Sequence, residues 1–214
     1  IITKYDETSA LRGYRLVVEN DDADTTGNFQ VELYDESADQ AIIATGANDT
    51  VNENTWYYVA FSFNGGVAGA AGDLKLYTNG ALTGSNSANA SFLGLEDVAA
   101  DFTIGNYDAT DAVSNNTAFT GLIDDIRIYN YARTPSQIIE DMNGGHPVGG
   151  SPVGSSVAYW KLDDMSGTTA QDTSTNDNDL TLSTASWTTS GKFNGAWNGT
   201  GSVWSSRADD VDLD

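Results

Sequence analysis

The apolar residues of this chain come in short runs that alternate with polar ones, and that period of two constrains the fold more than any other feature. Side chains two apart share a side of a strand, so "YRLVVE", "FQVELY", "AIIAT", "TWYYVAFSF", "DLKLYTNG", "DFTIGN" and "GLIDDIRIYN" read as strands. Gly, Asn and Asp clusters separate them. The first two flank "NDDADTTGN" as the arms of a hairpin. Regular short strands with turn signals predict an all-β sandwich or barrel. One helix is predicted, in "TPSQIIEDMNGG", where Thr134 suits an N-cap, Pro135 the first turn and Gly144 the stop.

After that helix comes "GGHPVGGSPVGSS", residues 144–156, which holds all but one of the chain's 3 prolines and has a flexible linker's composition. It divides a segment 1–143 from a segment 157–214. The second segment restarts the strand pattern at "VAYWKLDD" and continues through "DLTLS", "GKFNGAWNGT" and "SVWSS". At about sixty residues it is of a size at which a lone domain is marginal, so it is not expected to fold alone. Ile1 falls inside a strand-like "IITKYD", and the chain therefore reads as a processed or excised piece.

Asp and Glu number 31 against 9 Lys and Arg, a formal net charge of −22. That excess disfavours binding to nucleic acid or to an anionic membrane and favours cations. Cysteine is absent, which excludes disulfide staples and thiol chemistry. No apolar run approaches the ~20 residues of a membrane helix, so no membrane insertion is expected. Richness in Ser, Thr, Asn, Gly and Asp with scarce Lys gives the composition of a prokaryotic surface or secreted protein.

"TWYYVAFSFNG", "LKLYTNGALTGS", "FTIGN" and "FTGLIDDIRIYNYARTPSQIIEDM" resemble the second half of a laminin-G-like domain of the concanavalin A-like lectin/glucanase superfamily. "VAYWKLDDMSGTTAQDTSTNDNDLTLSTASWTTSGKFNGAWNGTGSVW" resembles the first half of such a domain, so the halves stand in inverted order. The resemblance implies a two-sheet antiparallel jelly-roll sandwich with one short helix. Residues 1–143 would be its C-terminal portion and 157–214 its N-terminal portion. In that family the opening and closing strands lie side by side, so each half exposes edges and an apolar face that need covering. The second segment completes the first either within the chain, across thirteen linker residues that reach ~40 Å, or in a neighbouring subunit. In the second case the series runs head to tail as a filament. The family's central strand, patterned like "FTVSAWV", has no equivalent in the sequence.

If Leu122, Ile126 and Ile128 face a core, the strand "GLIDDIRIYN" puts Asp124 on the same side. A buried ionised carboxylate needs a cation, backbone N–H groups or a proton. The resemblance implies a structural calcium ion near this aspartate and the loop "DTSTNDND", with Asp172 and Asn176 as oxygen donors and Asp163 and Asp164 as further candidates. Calcium favours such hard oxygen ligands. The alternative is that Asp124 accepts backbone or Arg hydrogen bonds and the loop is simply solvated. "DDADTTGN" mimics an EF-hand start at Asp22, Asp24 and Gly27, but its twelfth position is Leu33 rather than an acid, so it reads as a turn.

Nothing in the sequence assembles a catalytic constellation, and no enzyme is expected. The "ExDxxE" acids of the superfamily's glycosidases are absent, and the single histidine, His146, lies in the linker. Trp56 and Trp160 sit in core-like motifs, and Trp187, Trp197 and Trp204 are expected in the core of the completed sandwich. Tyr107 in "GNYDATD" is the best candidate for an exposed sugar-stacking ring. The expected role is a non-enzymatic extracellular or cell-surface structural or adhesive module that self-associates head to tail. The alternative is a carbohydrate-binding module that recognises glycans for a secreted hydrolase or adhesin.

Overall fold

The computed structural model describes residues 1–6, 9–19, 27–65, 73–87, 91–106, 118–144, 156–200, 205–210 and 213. Its strands begin with β1 (Ile2–Asp6), β2 (Leu11–Glu19), β3 (Asn28–Asp35), β4 (Gln40–Thr45) and β5 (Val59–Phe63). Next come β6 (Asp73–Thr78), β7 (Ala81–Ser87), β8 (Phe102–Ile104), β9 (Thr120–Ile123) and β10 (Ile126–Tyr129). The helix α1 (Pro135–Met142) precedes β11 (Ser156–Trp160), β12 (Thr169–Ala170), β13 (Leu180–Leu182), β14 (Trp187–Phe193), β15 (Gly195–Thr200) and β16 (Ser205–Arg207). Over the described residues the chain is all-β with one short helix and antiparallel sheets, the jelly-roll sandwich class. It forms two compact units.

One unit comprises residues 12–96 and 131–151. Here β2, β3 and β4 form a meander, with Leu16 opposite Val31 and Leu33 opposite Ile42, all four buried. The alternation seen in the sequence thus places one face of β2 and of β4 in a core, while β3 between them is buried on both faces. In a second meander β5, β6 and β7, Leu74 and Leu76 are fully buried. Asn79 and Gly80, at φ 51° and 79°, make the tight turn between β6 and β7. Gly84 has no room for a side chain, since a Cβ there would lie 2.5 Å from the Thr45 carbonyl oxygen; β7 therefore runs close against β4.

α1 begins as the sequence predicts. The Thr134 hydroxyl accepts from the Gln137 N–H and the Gln137 side chain accepts from the Thr134 N–H, a reciprocal capping box. Ile138 is buried, and Arg133 forks onto Asp141 at 3.0 and 2.7 Å. Asn143 caps the end, and Gly144 follows at φ 65°.

The other unit comprises residues 1–11, 97–130 and 152–214. Its strands run β12-β13-β16-β8-β1 in one sheet, β14-β15-β9 in a second and β10-β11 in a third. In each of these sheets a strand from beyond the linker pairs with one from before it: β16 with β8, β15 with β9, and β11 with β10. Trp160 on β11 stacks on Phe102 of β8 with ring centroids 5.3 Å apart and planes inclined by 16°, and both are fully buried. The Trp160 indole N–H donates to the Asn178 carbonyl at 2.7 Å, so its polar atom is satisfied inside the core. Trp197 is buried too, Trp187 and Trp56 are half-buried, and Trp204 lies outside the described residues.

"GLIDDIRIYN" departs from the single strand expected. β9 ends at Ile123 and β10 starts at Ile126, with Asp125 between them at φ 58°. The break resets the period, so Ile123 is the buried residue while Leu122, Ile126 and Ile128 are half-buried. Asp124 sits at a corner rather than in the face of a strand.

Truncating the stacked ring tests this packing. Trp160→Ala should lose about 3–5 kcal/mol in urea unfolding, as large buried aromatics do, and half-buried Trp187→Ala distinctly less. Equal losses at the two positions would contradict the placement.

Candidate functional site

Asp124 occupies the corner between β9 and β10 against the turn from β14 to β15. Its Oδ2 accepts from the Phe193 N–H at 2.8 Å, whereas Oδ1 is buried with no hydrogen-bond partner. Burial raises its pKa to about 6; the charges of Asp125 and Asp163 push the same way, and the backbone N–H groups of Phe193 and Lys192 partly offset them.

Asp125 is held by Arg127, whose Nη2 lies 3.3 and 3.2 Å from its two oxygens and also donates to the Tyr159 hydroxyl at 2.9 Å. The Arg127 guanidinium stands 4.3 Å over the Tyr159 ring, and the two residues are register partners across β10 and β11. Burial, then the hydrogen bond with Asp125, pushes the Tyr159 hydroxyl up to about 12. The Arg127 pKa is raised: burial opposes the charge, and Asp125 and Tyr159 more than compensate. This cluster fastens the segments before and after the linker to each other.

Asp163 grips the β14–β15 turn: Oδ1 accepts from the Gly195 N–H at 2.7 Å and Oδ2 from the Asn194 side-chain amide at 3.3 Å. Asp164 Oδ1 accepts from the Gln171 N–H at 3.4 Å, and burial, with Asp179 and Asp163 adding to it, raises its pKa.

Asp172 belongs to a separate clasp. Oδ1 accepts from the Tyr159 and Ser174 N–H groups, each at 2.8 Å, and Oδ2 from the Ser174 hydroxyl at 2.6 Å and the Asn178 N–H at 2.9 Å. Burial pushes its pKa up, and these donors more than offset that and leave it lowered. Asn176 donates its amide to the Val157 carbonyl at 3.1 Å, where the Ser174 hydroxyl and the Asn178 amide converge at 3.1 and 3.0 Å. The loop is thereby fixed to β11.

The five oxygen donors expected for calcium thus stand in different settings. A carboxylate offers roughly four lone-pair sites, and four donors occupy those of Asp172. Asp163 and Asp164 hold backbone N–H groups, and Asn176 is tied down through its amide nitrogen. Asp124 alone of the five keeps a buried oxygen without a partner, and among the described residues no three His, Cys, Asp or Glu side chains are grouped to hold a metal ion. Calcium takes six to eight oxygens, and the one feature of these five residues that suits a cation is the buried, unpartnered oxygen of Asp124; they do not form a carboxylate cage. Tyr107, Asp22, Asp24 and His146 lie outside the described residues. Gly27 bridges to Val51.

Sequence reasoning passes over two buried charged groups. Lys4, 1% exposed, donates to the carbonyls of Val98 at 2.7 Å and Ala100 at 3.3 Å and to Asp209 at 2.5 Å. Fully buried Asp35 accepts from Ala38 N–H at 2.9 Å, Gly94 N–H at 3.1 Å, the Ser37 hydroxyl at 3.2 Å and the Leu93 N–H. For Asp35 the turn-forming residues of "DESA" are a usable local cue, its carboxylate accepting from the Ser37 hydroxyl and the Ala38 N–H just after it; for Lys4 the partners are too distant in sequence.

The Asp124 pKa gives a pH dependence of known sign. Its folded value exceeds the ordinary carboxylate value, so the folded state binds more protons between about pH 4 and 6, and this group costs stability as pH rises through that window. Asp124→Asn should therefore gain melting temperature relative to the parent across the window and hold the gain above it. A constant difference would contradict the burial account.

A laminin-G family model described as the concanavalin A-like lectin/glucanases superfamily matches residues 2–139. No curated protein and no solved structure matches the chain.

Proposed function

Because the chain belongs to the concanavalin A-like lectin/glucanases superfamily, we propose that it is a non-enzymatic structural or adhesive module of a prokaryotic surface protein or filament. The observation that carries this reading is the cross-pairing in one unit: β11, β15 and β16 beyond the linker pair with β10, β9 and β8 before it. The two segments have the character of complementary halves, in the inverted order that their resemblances imply. The same pairing made between copies gives a head-to-tail series. A linker of this length and composition sets an effective concentration of order mM, so each chain closes on itself when dilute and exchanges its second segment with neighbours when crowded.

One test mixes an Ile128→Cys chain with an Ala158→Cys chain, positions paired across β10 and β11. Near millimolar protein, disulfide-linked pairs of the two variants should form, and light scattering should give masses in multiples of one chain. A single-chain mass at every concentration with no mixed disulfide would end the assembly reading and leave a self-closed module.

A calcium ion at Asp124 would stiffen the corner where the segments meet. Its chemical contribution would be charge neutralisation of the unpartnered oxygen. Chelator should then lower the melting temperature of the parent and leave Asp124→Asn unmoved; a parent insensitive to chelator and to added calcium would remove the ion from the account.

A further inference from the structure

Asn194 sits at φ 61° in the turn between β14 and β15, followed by Gly195. The chain contains Asn-Gly at Asn64, Asn79, Asn143, Asn194 and Asn198. At Asn64 and Asn79 the side-chain oxygen is engaged elsewhere, by the Asp73 N–H at 2.7 Å and the Tyr58 N–H at 3.0 Å. Asn143 caps α1, and Asn198 is paired inside the β15–β9 ladder. At Asn194 the arrangement is different. One carboxylate, Asp163, holds the N–H of Gly195 on Oδ1 at 2.7 Å and the side-chain amide of Asn194 on Oδ2 at 3.3 Å. Glycine fits the following position without displacing its neighbours, since a Cβ at 195 would lie 2.8 Å from Met165 Sδ and 3.2 Å from both Asp163 Cα and Oδ1. Asn194 is exposed, so water reaches it.

We infer that Asn194 is a self-modification site, converted to aspartate and isoaspartate through a succinimide with Asp163 as its general base and acid. The Gly195 nitrogen forms a bond to Asn194 Cγ as its proton passes to Asp163 Oδ1. The Cγ–Nδ2 bond then breaks, with the carboxyl proton going to the departing nitrogen, which leaves as ammonia and returns Asp163 to its carboxylate. Water opens the ring at either carbonyl. Nucleophile and leaving group share one proton carrier, which is what general acid–base catalysis requires of its geometry. The product places a new carboxylate beside Asp163. As isoaspartate it also lengthens the backbone of the turn whose Phe193 N–H holds Asp124.

The test is peptide mapping of the folded protein aged at neutral pH, reading the gain of about one mass unit and the isoaspartyl isomer at each Asn-Gly step. Asn194 should convert about tenfold or more faster than Asn64, Asn79 and Asn143, and Asp163→Ala should bring it down to their rate. The Asn198-Gly199 step, paired in the β15–β9 ladder of the same unit, reports folding in the same sample: if Asp163→Ala loosens the structure it accelerates too, and the parent comparison then decides. Conversion at Asn194 no faster than at those three in the parent, or undiminished in a folded Asp163→Ala variant, would overturn the assignment.

Discussion

The stacking of Trp160 on Phe102 is the contact on which the unit built from residues 1–11, 97–130 and 152–214 depends. An indole buries 150–250 Å², worth ~4–6 kcal/mol of transfer free energy, and this one joins a strand beyond the linker to a strand before it. The three cross-pairings of strands follow from the same circumstance, since an apolar face left open on either segment is covered only by the other. Sheet edges behave alike: β8 gains β16 on one side and β1 on the other. Neither segment has to be stable alone for their union to be.

Charge is organised around the same junctions. Of the 9 basic residues, Lys4, Arg12, Arg15, Lys75, Arg127, Arg133 and Arg207 stand at ion-pair distance from a carboxylate. The scarce cations are thus spent on fixing strands and α1. Lys4 draws β1, the Val98–Ala100 stretch and Asp209 together, and Arg127 with Asp125 and Tyr159 does the same for β10 and β11. Asp124 is the exception, a carboxylate partly removed from water with one oxygen unanswered. The strain of that corner is visible in the backbone as well: Asp125, Leu162, Met165 and Asn194 all adopt left-handed φ values of 56–61°.

Much of this was legible in the sequence, and the reasons differ by element. The β2–β3 hairpin follows from alternation with an Asp- and Gly-rich turn, and α1 from Thr134, Pro135 and Gly144, because those signals are local. β7, "ALTGSNS", has no apolar face to read, and its place is set by β6 beside it and by the glycine that lets it approach β4. The Asp124 register was misplaced because periodicity assumes an unbroken strand, and Asp125 in the left-handed region breaks it. The loop of Asp172 and Asn176 is rich in oxygens by composition, and what distinguishes it in the structure is a convergence of donors on Asp172 and the Val157 carbonyl. Composition gives oxygens; it does not say which are already occupied.

The most direct test of the central claim is to cut the chain. With a protease site introduced within residues 144–156, the two fragments should co-elute under native conditions after cleavage and unfold in a single transition, separating only in denaturant. If the fragment from residue 157 onward comes away while the other keeps a cooperative unfolding transition of its own, the two segments are not complementary parts of one core.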